Sequence, residues 1–248
     1  MVILKTKNEL QLMQKAGALT AAALHAGGAA VKPGVTTKQI DKVIHDYIVS
    51  HGGKPSFLGY GGFPASACIS VNDEVIHGIP GGRVIKEGDI VSIDVGAMVG
   101  GYHGDSAYTF ACGKIDEKTQ MLLDTTKQAL ENAIAQAVVG NRIGDIGYAV
   151  QSTVEAKGLS VVREYVGHGI GRDVHEEPEV PNYGTKGRGI RLAAGMVLAI
   201  EPMINAGGCA VRVLSDNWTV VTVDHSMSAH FEHTVAITPN GPVVLTRV

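Results

Sequence analysis

The sequence contains little charge and no excess of basic residues. Charged residues make up 18% of its 248 positions, compared with about 25% in ordinary globular proteins. The 21 lysine and arginine residues against 24 aspartate and glutamate residues leave a net charge of −3. Proteins that bind nucleic acid or an anionic membrane usually carry a basic patch or stripe. The composition gives no signature of either partner and favours a small or peptide-like one.

Long apolar runs and cysteine pairs are also missing. The apolar run before Lys5 is too short for the core of a signal peptide, and no stretch approaches the roughly 18 apolar residues of a membrane span. The three cysteines, Cys68, Cys112 and Cys209, lie in apolar sequence and are odd in number. This pattern is typical of reduced thiols rather than of a disulfide framework. We expect a cytoplasmic protein without a membrane partner.

Apolar residues recur with helical and strand periods along the chain. Hydrophobic residues make up 45% of the sequence, enough for a sizeable core. Helical periodicity predicts helices over 8–29, 37–51, 117–138 and 144–157, with Asn8 and Thr36 as the first two N-caps. Strand patterns fill most of the remainder. The chain is therefore expected to adopt an α+β fold.

A shift of 106 residues aligns the chain with itself. The shift pairs Gly34 with Gly140, Ile40 with Ile146, Ile44 with Val150, Ile48 with Val154 and Gly52 with Gly158. Two similar amphipathic helices could give such matches by chance, but the matches share element edges and apolar faces, which favours an internal duplication. We expect a single domain over 1–248 with two pseudo-symmetric halves, about 8–112 and 115–238, and a site where they meet.

Two aspartates interrupt apolar strand patterns in "SIDVGAMVGGYHGDSAYTF", residues 92–110. A two-residue turn at Gly100-Gly101 would set Asp105 opposite Gly96 and diagonal to Asp94, whereas a turn one residue earlier would set the two aspartates directly opposite. Either register places both carboxylates on one face, within about 5–8 Å. Close carboxylates repel each other and resist burial, so a bound cation would explain the pair. Two ordinary surface aspartates on a solvent-facing sheet are the alternative.

Further acids and a histidine occur in apolar strands later in the chain. "GMVLAIEPMI" carries Glu201, "AHFEHTVAIT" carries Glu232, and "YVGHGIGRDVHEEP" carries His168 and His175. Four carboxylates and one imidazole form an oxygen-rich donor set that can hold two divalent ions if some carboxylates bridge them. Two such ions activate a water and polarise a carbonyl. The donor set predicts a metal-dependent hydrolase.

The other histidines and Cys68 allow different interpretations. His25, His45 and His51 lie on predicted helices and are expected to be structural, and His233 should point away from the face that carries Glu232. His77 and His175 lie in loops rich in glycine and proline, where they could reach a substrate without binding metal. A cysteine hydrolase built on Cys68 remains an alternative, and it would be inactivated by thiol alkylation and indifferent to chelators.

The motifs together resemble a known family, the type I methionine aminopeptidases of the pita-bread metallopeptidase superfamily, in their short bacterial form. The resemblance covers nearly all 248 residues and is carried by "CISVNDEVIHGIP", "IDVGAMVGGYHGDSAYTF", "YVGHGIGRDVHEEP", "AIEPMI" and "HFEHTVAI". It implies a pita-bread fold, with duplicated pseudo-two-fold halves, a central curved antiparallel sheet and outer helices.

The resemblance also implies the roles of site residues. Asp94 would bind one metal, His168 and Glu201 the other, and Asp105 and Glu232 both; the ions could be Co, Mn, Fe or Zn. Glu201 would also act as the general base, His77 would hydrogen-bond the scissile amide nitrogen, and His175 would stabilise the developing oxyanion. The methionine pocket would comprise Phe57, Tyr60, Phe63, Cys68 and Trp218, with core packing as the alternative for each.

Two positions depart from the family pattern. Phe57 stands where a cysteine is common, and Val174 stands where an aromatic residue often precedes the second histidine. Both departures concern the shape of the pocket and leave the metal chemistry unaffected. The shape of this pocket therefore does not follow from the resemblance.

The function that the resemblance implies is removal of the N-terminal methionine when the second residue is small. The substrates would be peptides and nascent chains, and the enzyme would be a cytoplasmic monomer that associates with the ribosome. Two alternatives share the fold: an enzyme that cleaves before proline, which usually carries an additional N-terminal domain, and a non-catalytic binding module, which usually lacks metal ligands.

Overall fold

Four helices and fifteen strands run through residues 1–247, the part of the chain that this computed structural model describes. The helices are α1 (Lys7–Ala29), α2 (Thr37–Ser50), α3 (Glu117–Gln136) and α4 (Ile143–Glu155). The strands are β1 (Lys54–Pro55), β2 (Ala67–Val71), β3 (Glu74–Ile76), β4 (Ile90–Val99), β5 (Tyr102–Ala111), β6 (Ser160–Val161), β7 (Gly167–Gly169), β8 (Glu176–Val180), β9 (Val197–Ile200), β10 (Met203–Asn205), β11 (Val211–Val213), β12 (Val220–Thr222), β13 (Ser228–His230), β14 (His233–Thr238) and β15 (Gly241–Val244). All four predicted helices are confirmed, within two residues at each end.

The N-caps follow the capping-box pattern, which corrects one prediction. Asn8 lies inside α1, and Thr6 is the N-cap because its hydroxyl accepts the Glu9 N–H while the Glu9 carboxylate accepts the Thr6 N–H at 2.8 Å. Thr36 caps α2 as predicted, with Gln39 in the reciprocal position. The spacing of threonine and an acid or amide three residues apart satisfies two backbone donors at once.

The positions related by the 106-residue shift have matching environments. All six paired apolar residues of α2 and α4 are fully buried: Ile40, Ile44, Ile48, Ile146, Val150 and Val154. Gly34 and Gly140, before these helices, have φ of 90° and 97°, a conformation that strongly favours glycine. In each half, the second helix therefore buries the same apolar stripe against its core.

The sheets are antiparallel and lie between the helix pairs. One sheet is formed around β4, which pairs with β1, β2 and β5, and another has the order β15-β14-β9-β7-β8. Smaller sheets have the orders β13-β10-β6 and β11-β12-β3. One apolar core lies between α1, α2 and the β4 sheet, and a larger one lies beneath α3 and α4. None of the helices in residues 1–247 combines the length and apolarity needed to cross a bilayer.

Side-chain hydroxyls join the β4 sheet to the strands of the second half. Thr234 on β14 accepts the Asp105 N–H at 2.9 Å and donates to the Asp105 carbonyl at 2.8 Å. Thr109 on β5 makes the same pair of bonds with the backbone of His230, both at 2.9 Å. We call these two residues the threonine seam. The seam fixes the backbone at Asp105 against the strands that flank Glu232.

The seam yields a prediction about stability. Thr234 is fully buried, and Thr234→Val keeps its shape but leaves the Asp105 N–H without an acceptor. Losing a buried partner costs about 1–3 kcal/mol, so we expect the melting temperature to fall by about 2–10 °C. The exposed Thr185→Val serves as the matched control. A Thr234→Val protein that melts with the wild type would show that the seam contributes nothing.

Candidate active site

A single cavity of about 200 Å³ contains every site residue predicted from the sequence. Its lining comprises Phe57, Tyr60, Phe63, Cys68, His77, Asp94, Asp105, His168, His175, Glu201, Trp218 and Glu232. The acids lie together with His168, and the aromatic rings and the thiol form the apolar part. Residues as far apart as 57 and 232 therefore meet in one place.

The hairpin of β4 and β5 positions the two aspartates. Asp105 lies opposite Gly96, and Asp94 lies opposite Ala107. This is the register of the Gly100-Gly101 turn, whose residues have φ of 61° and 80°, as a two-residue hairpin turn requires. The diagonal arrangement is therefore the one that forms, and both carboxylates lie on the same face of the sheet.

The remaining acids and the imidazole reach this face from short strands of the second half and the residues next to them. His168 lies in β7 opposite Ala199, Glu201 directly follows β9, and Glu232 lies between β13 and β14. Donor atoms of Asp105, His168 and Glu232 lie within 4.8 Å of one another. All three side chains are buried. This spacing is compatible with a shared cation.

The hydrogen bonding of His168 leaves a lone pair aimed at a carboxylate. His168 Nδ1 lies 2.8 Å from the Gly169 carbonyl, which can only accept, so Nδ1 carries the proton and Nε2 does not. Burial lowers the pKa of His168 to about 3, so the ring is neutral. Nε2 nevertheless lies 3.5 Å from Glu201 Oε1. Nε2 is therefore an acceptor that can bind a cation beside Glu201, and metal-binding histidines commonly donate their other ring N–H to a backbone carbonyl in this way.

The acids are buried without enough protein donors to stabilise their charge. Burial raises the pKa of Asp94 to about 7 and that of Glu201 to about 8, and burial also raises the pKa values of Asp105 and Glu232. Asp94 Oδ1 and Asp105 Oδ1 are buried and lack a hydrogen-bond partner. Divalent cations would satisfy these oxygens and favour the ionised carboxylates. The donor set thus fits divalent metal ions.

Two histidines border the cluster without joining it. His77 follows β3 with a φ of 59°, a strained conformation of the kind that occurs at functional sites. Burial lowers the pKa of His77 to about 4. His175 Nδ1 lies 2.8 Å from the Tyr60 hydroxyl, and its ring centroid lies 4.1 Å from that of His168. Both imidazoles can therefore face a substrate that reaches the acids.

The apolar part of the cavity is a buried cluster around Cys68. Phe57, Phe63 and Val174 belong to the cluster, and the Trp218 ring packs edge-on against Phe63 at 5.1 Å. Burial and the nearby Asp94 raise the pKa of the Cys68 thiol well above its usual value. A thiol that stays protonated is a poor nucleophile, which disfavours the cysteine hydrolase.

The histidines other than His77, His168 and His175 do not line the cavity, although His230 lies next to one of its acids. His45 Nδ1 contacts the Ser66 hydroxyl, and His233 contacts Thr246 on the far side of its strand. His230 was missed by the sequence reasoning: it is buried, and its Nε2 lies 3.6 Å from Glu201 Oε2. The signal was present, because His230 is two residues from Glu232 in an apolar segment and can share its face.

The fold and the cavity define a metal-dependent hydrolase. The profile of metallopeptidase family M24 matches residues 11–239. A methionine aminopeptidase of Clostridium perfringens is 53% identical over the full length of both chains, and methionine aminopeptidase 1 of Bacillus subtilis is 51% identical over the full length of both chains. The crystal structure of methionine aminopeptidase from Thermotoga maritima is 46% identical, with a TM-score of 0.98 and full coverage of both chains. The chain belongs to metallopeptidase family M24, and its fold is the predicted pita-bread fold.

The buried acids lead to a prediction about metal removal. Adding Mn²⁺ or Co²⁺ to chelator-stripped protein should stabilise the native state by about 2.7 kcal/mol at a hundredfold excess over Kd. This raises the melting temperature by about 5–10 °C, which thermal denaturation can measure. Asp105→Asn should abolish the shift while its metal-free form is at least as stable as the metal-free wild type, because an amide can be buried beside Asp94 without a charge to compensate. An unchanged metal-induced shift in Asp105→Asn would contradict the assignment.

Proposed function

We propose that the protein is a type I methionine aminopeptidase, which hydrolyses the first peptide bond of chains that begin with methionine and carry a small second residue. One observation carries the proposal: a single cavity joins the acid cluster to an apolar pocket of aromatic rings and a thiol. An aminopeptidase needs a site for the side chain of the first residue next to the hydrolytic centre.

The apolar pocket suits a methionine side chain. Phe57, Tyr60, Phe63, Cys68 and Trp218 supply its walls. A thioether is flexible and polarizable, and it interacts favourably with aromatic rings. A charged side chain would lose its hydration in such a pocket without gaining a partner.

Two divalent ions are proposed for the acid cluster. Asp94 would bind one ion, His168 and Glu201 the other, and Asp105 and Glu232 would bridge both. The ions would act as Lewis acids that polarise the scissile carbonyl and lower the pKa of a water. Their identity among Co, Mn, Fe and Zn depends on supply, because such a donor set accepts all four.

The protein's own groups would handle the substrate and the protons. Glu201 would take a proton from the attacking water and pass it towards the leaving amine. His77 would hold the scissile amide nitrogen, and His175 would donate a hydrogen bond to the carbonyl oxygen as it becomes an oxyanion. Tyr60 would support His175, since a hydrogen bond links the hydroxyl to Nδ1.

The alternatives fit the observations less well. A non-catalytic module would not need four carboxylates and an imidazole gathered in one cavity. Cleavage before proline is disfavoured because the relatives at 51–53% identity, matched over their full length, carry the name methionine aminopeptidase. The chain is proposed to act as one catalytic domain of two duplicated halves, 8–112 and 115–238.

The setting of the activity is also a proposal. Methionine at the start of a peptide occurs on nascent chains, so we propose that the enzyme works as a cytoplasmic monomer and associates with the ribosome. The balanced composition, with a net charge of −3, supports a peptide substrate over direct binding of nucleic acid.

Peptide hydrolysis tests the proposal directly. The peptides Met-Ala-Ser and Lys-Pro-Ser are incubated with enzyme loaded with Co²⁺, Mn²⁺ or Fe²⁺, with and without chelator. We expect release of methionine only from Met-Ala-Ser and only with metal. Cleavage of the proline peptide alone, or full activity after metal stripping, would refute the proposed function.

Three variants serve as controls for that assay. Glu201→Ala and Asp105→Ala should abolish turnover, because each removes a metal ligand and Glu201 is also the base. His77→Ala should keep its metal, measured by elemental analysis, and lose about 10²–10³ in kcat, as is typical for one lost transition-state donor. Normal turnover in Asp105→Ala would contradict the bridging role.

The two departures from the family pattern give a prediction about the pocket. Phe57 and Val174 are buried in the same cluster, so Val174→Phe adds a second ring to an already filled wall. Overpacking costs about 1–3 kcal/mol, and we expect KM for Met-Ala-Ser to rise about 5–100-fold. Adding Phe57→Cys should restore much of the affinity, whereas Val213→Phe on an exposed strand should have no effect. An unchanged KM in Val174→Phe would show that these positions do not shape the pocket.

A further inference from the structure

The segment before α1 packs beneath the loop that carries His175. This loop, residues 170–175, leads from β7, which contains His168, to β8, which begins at Glu176. The Lys5 N–H donates to the Gly195 carbonyl at 2.7 Å, and this bond fixes the N-terminal segment next to β9. From there the Lys5 side chain reaches the base of the loop.

Lys5 and Glu176 form a buried ion pair. Their side chains are 3% and 6% exposed, and Lys5 Nζ also donates to the Ile3 carbonyl at 3.2 Å. The Lys42–Asp46 pair, by contrast, is 72% and 58% exposed. Exposed pairs contribute little, whereas loss of one partner of a buried pair leaves an uncompensated charge. The fold therefore depends on this pair more than on a surface pair.

The same carboxylate determines the shape of the loop. Glu176 Oε1 accepts the N–H groups of Arg172 at 2.9 Å and of Asp173 at 3.4 Å. Gly171 lies directly on the pair, and a Cβ there would come within 2.5 Å of Lys5 Cε and of Glu176 Oε1. The Lys5 side chain, the Glu176 carboxylate and the loop backbone are therefore closely packed.

His175 directly precedes Glu176, the first residue of β8, and it lines the cavity whereas Glu176 does not. One side chain enters the cavity while the other is held from below by Lys5. We propose that the Lys5–Glu176 pair is a positioning device that holds His175 over the scissile carbonyl. Neither residue lines the cavity, and the inference rests on the proposed function of His175.

Steady-state kinetics of the metal-loaded enzyme with Met-Ala-Ser tests this inference. Lys5→Met keeps the length of the side chain and removes its charge, and the exposed Lys7→Met is the matched control. We expect kcat to fall about ten- to a hundredfold in Lys5→Met, as for a small misplacement of a catalytic group. KM and metal content should change little, and Lys7→Met should behave as the wild type. Lys5→Arg, which keeps the charge, should recover part of kcat.

A double-mutant cycle separates positioning from general destabilisation. If Lys5 acts through His175, Lys5→Met should cost almost nothing further in a His175→Ala background, because coupled residues are not additive. An equal loss in both backgrounds, or a loss of metal that matches the loss of activity, would overturn the inference.

Two further outcomes are also decisive. If Lys5→Met does not fold, Glu176→Gln replaces it, since the amide oxygen still accepts from the Arg172 N–H while the carboxylate charge that pairs with Lys5 is gone. Wild-type kcat in Lys5→Met, or in Glu176→Gln where it replaces Lys5→Met, would overturn the positioning role and leave the proposed function intact. A wild-type enzyme that releases no methionine would instead refute the proposed function itself.

Discussion

Four carboxylates gathered around one cavity are the constraint on which the rest of the structure depends. Asp94 lies on β4 and Asp105 on β5, whereas Glu201 follows β9 and Glu232 lies between β13 and β14. Few donors of the protein reach these carboxylates. Bare charges in such a place would be costly to bury. The strands that carry or flank the acids fix their spacing. The donor set therefore calls for cations, and the adjoining apolar pocket brings a substrate to the same point.

Local patterns in the sequence predicted the part of the site that depends on neighbouring strands. Alternation placed Asp94 and Asp105 on one face, and the four helices followed from periodicity and caps. The hairpin register stayed open because both turns preserve that face, and the left-handed backbone at Gly100 and Gly101 decides between them. The apolar residues predicted to face the core of each half are buried in the structure, because the helical period of 3.6 residues places them on one face.

Contacts between distant segments were beyond local patterns. His168 and Glu201 were singled out by their local motifs, but their assignment to one metal rested on the family resemblance, since no spacing in the chain says that β7 and β9 are neighbours. His230 was overlooked because a single histidine in an apolar strand is usually structural. The Lys5–Glu176 pair could not be predicted, because a lysine near the start of a helix is ordinarily solvated. In each case tertiary packing determined the environment.

The threonine seam links the two ends of the site in another way. Asp105 lies on one side of the seam and Glu232 on the other. Forming the hydrogen bonds of the seam therefore brings two carboxylates together. Cations lower that cost, which makes seam closure and metal binding thermodynamically linked. When divalent ions are scarce, a larger fraction of the molecules would be unfolded and exposed to proteases, since small changes in stability alter abundance. Metal binding would then stabilise the fold through the same contacts that shape the site.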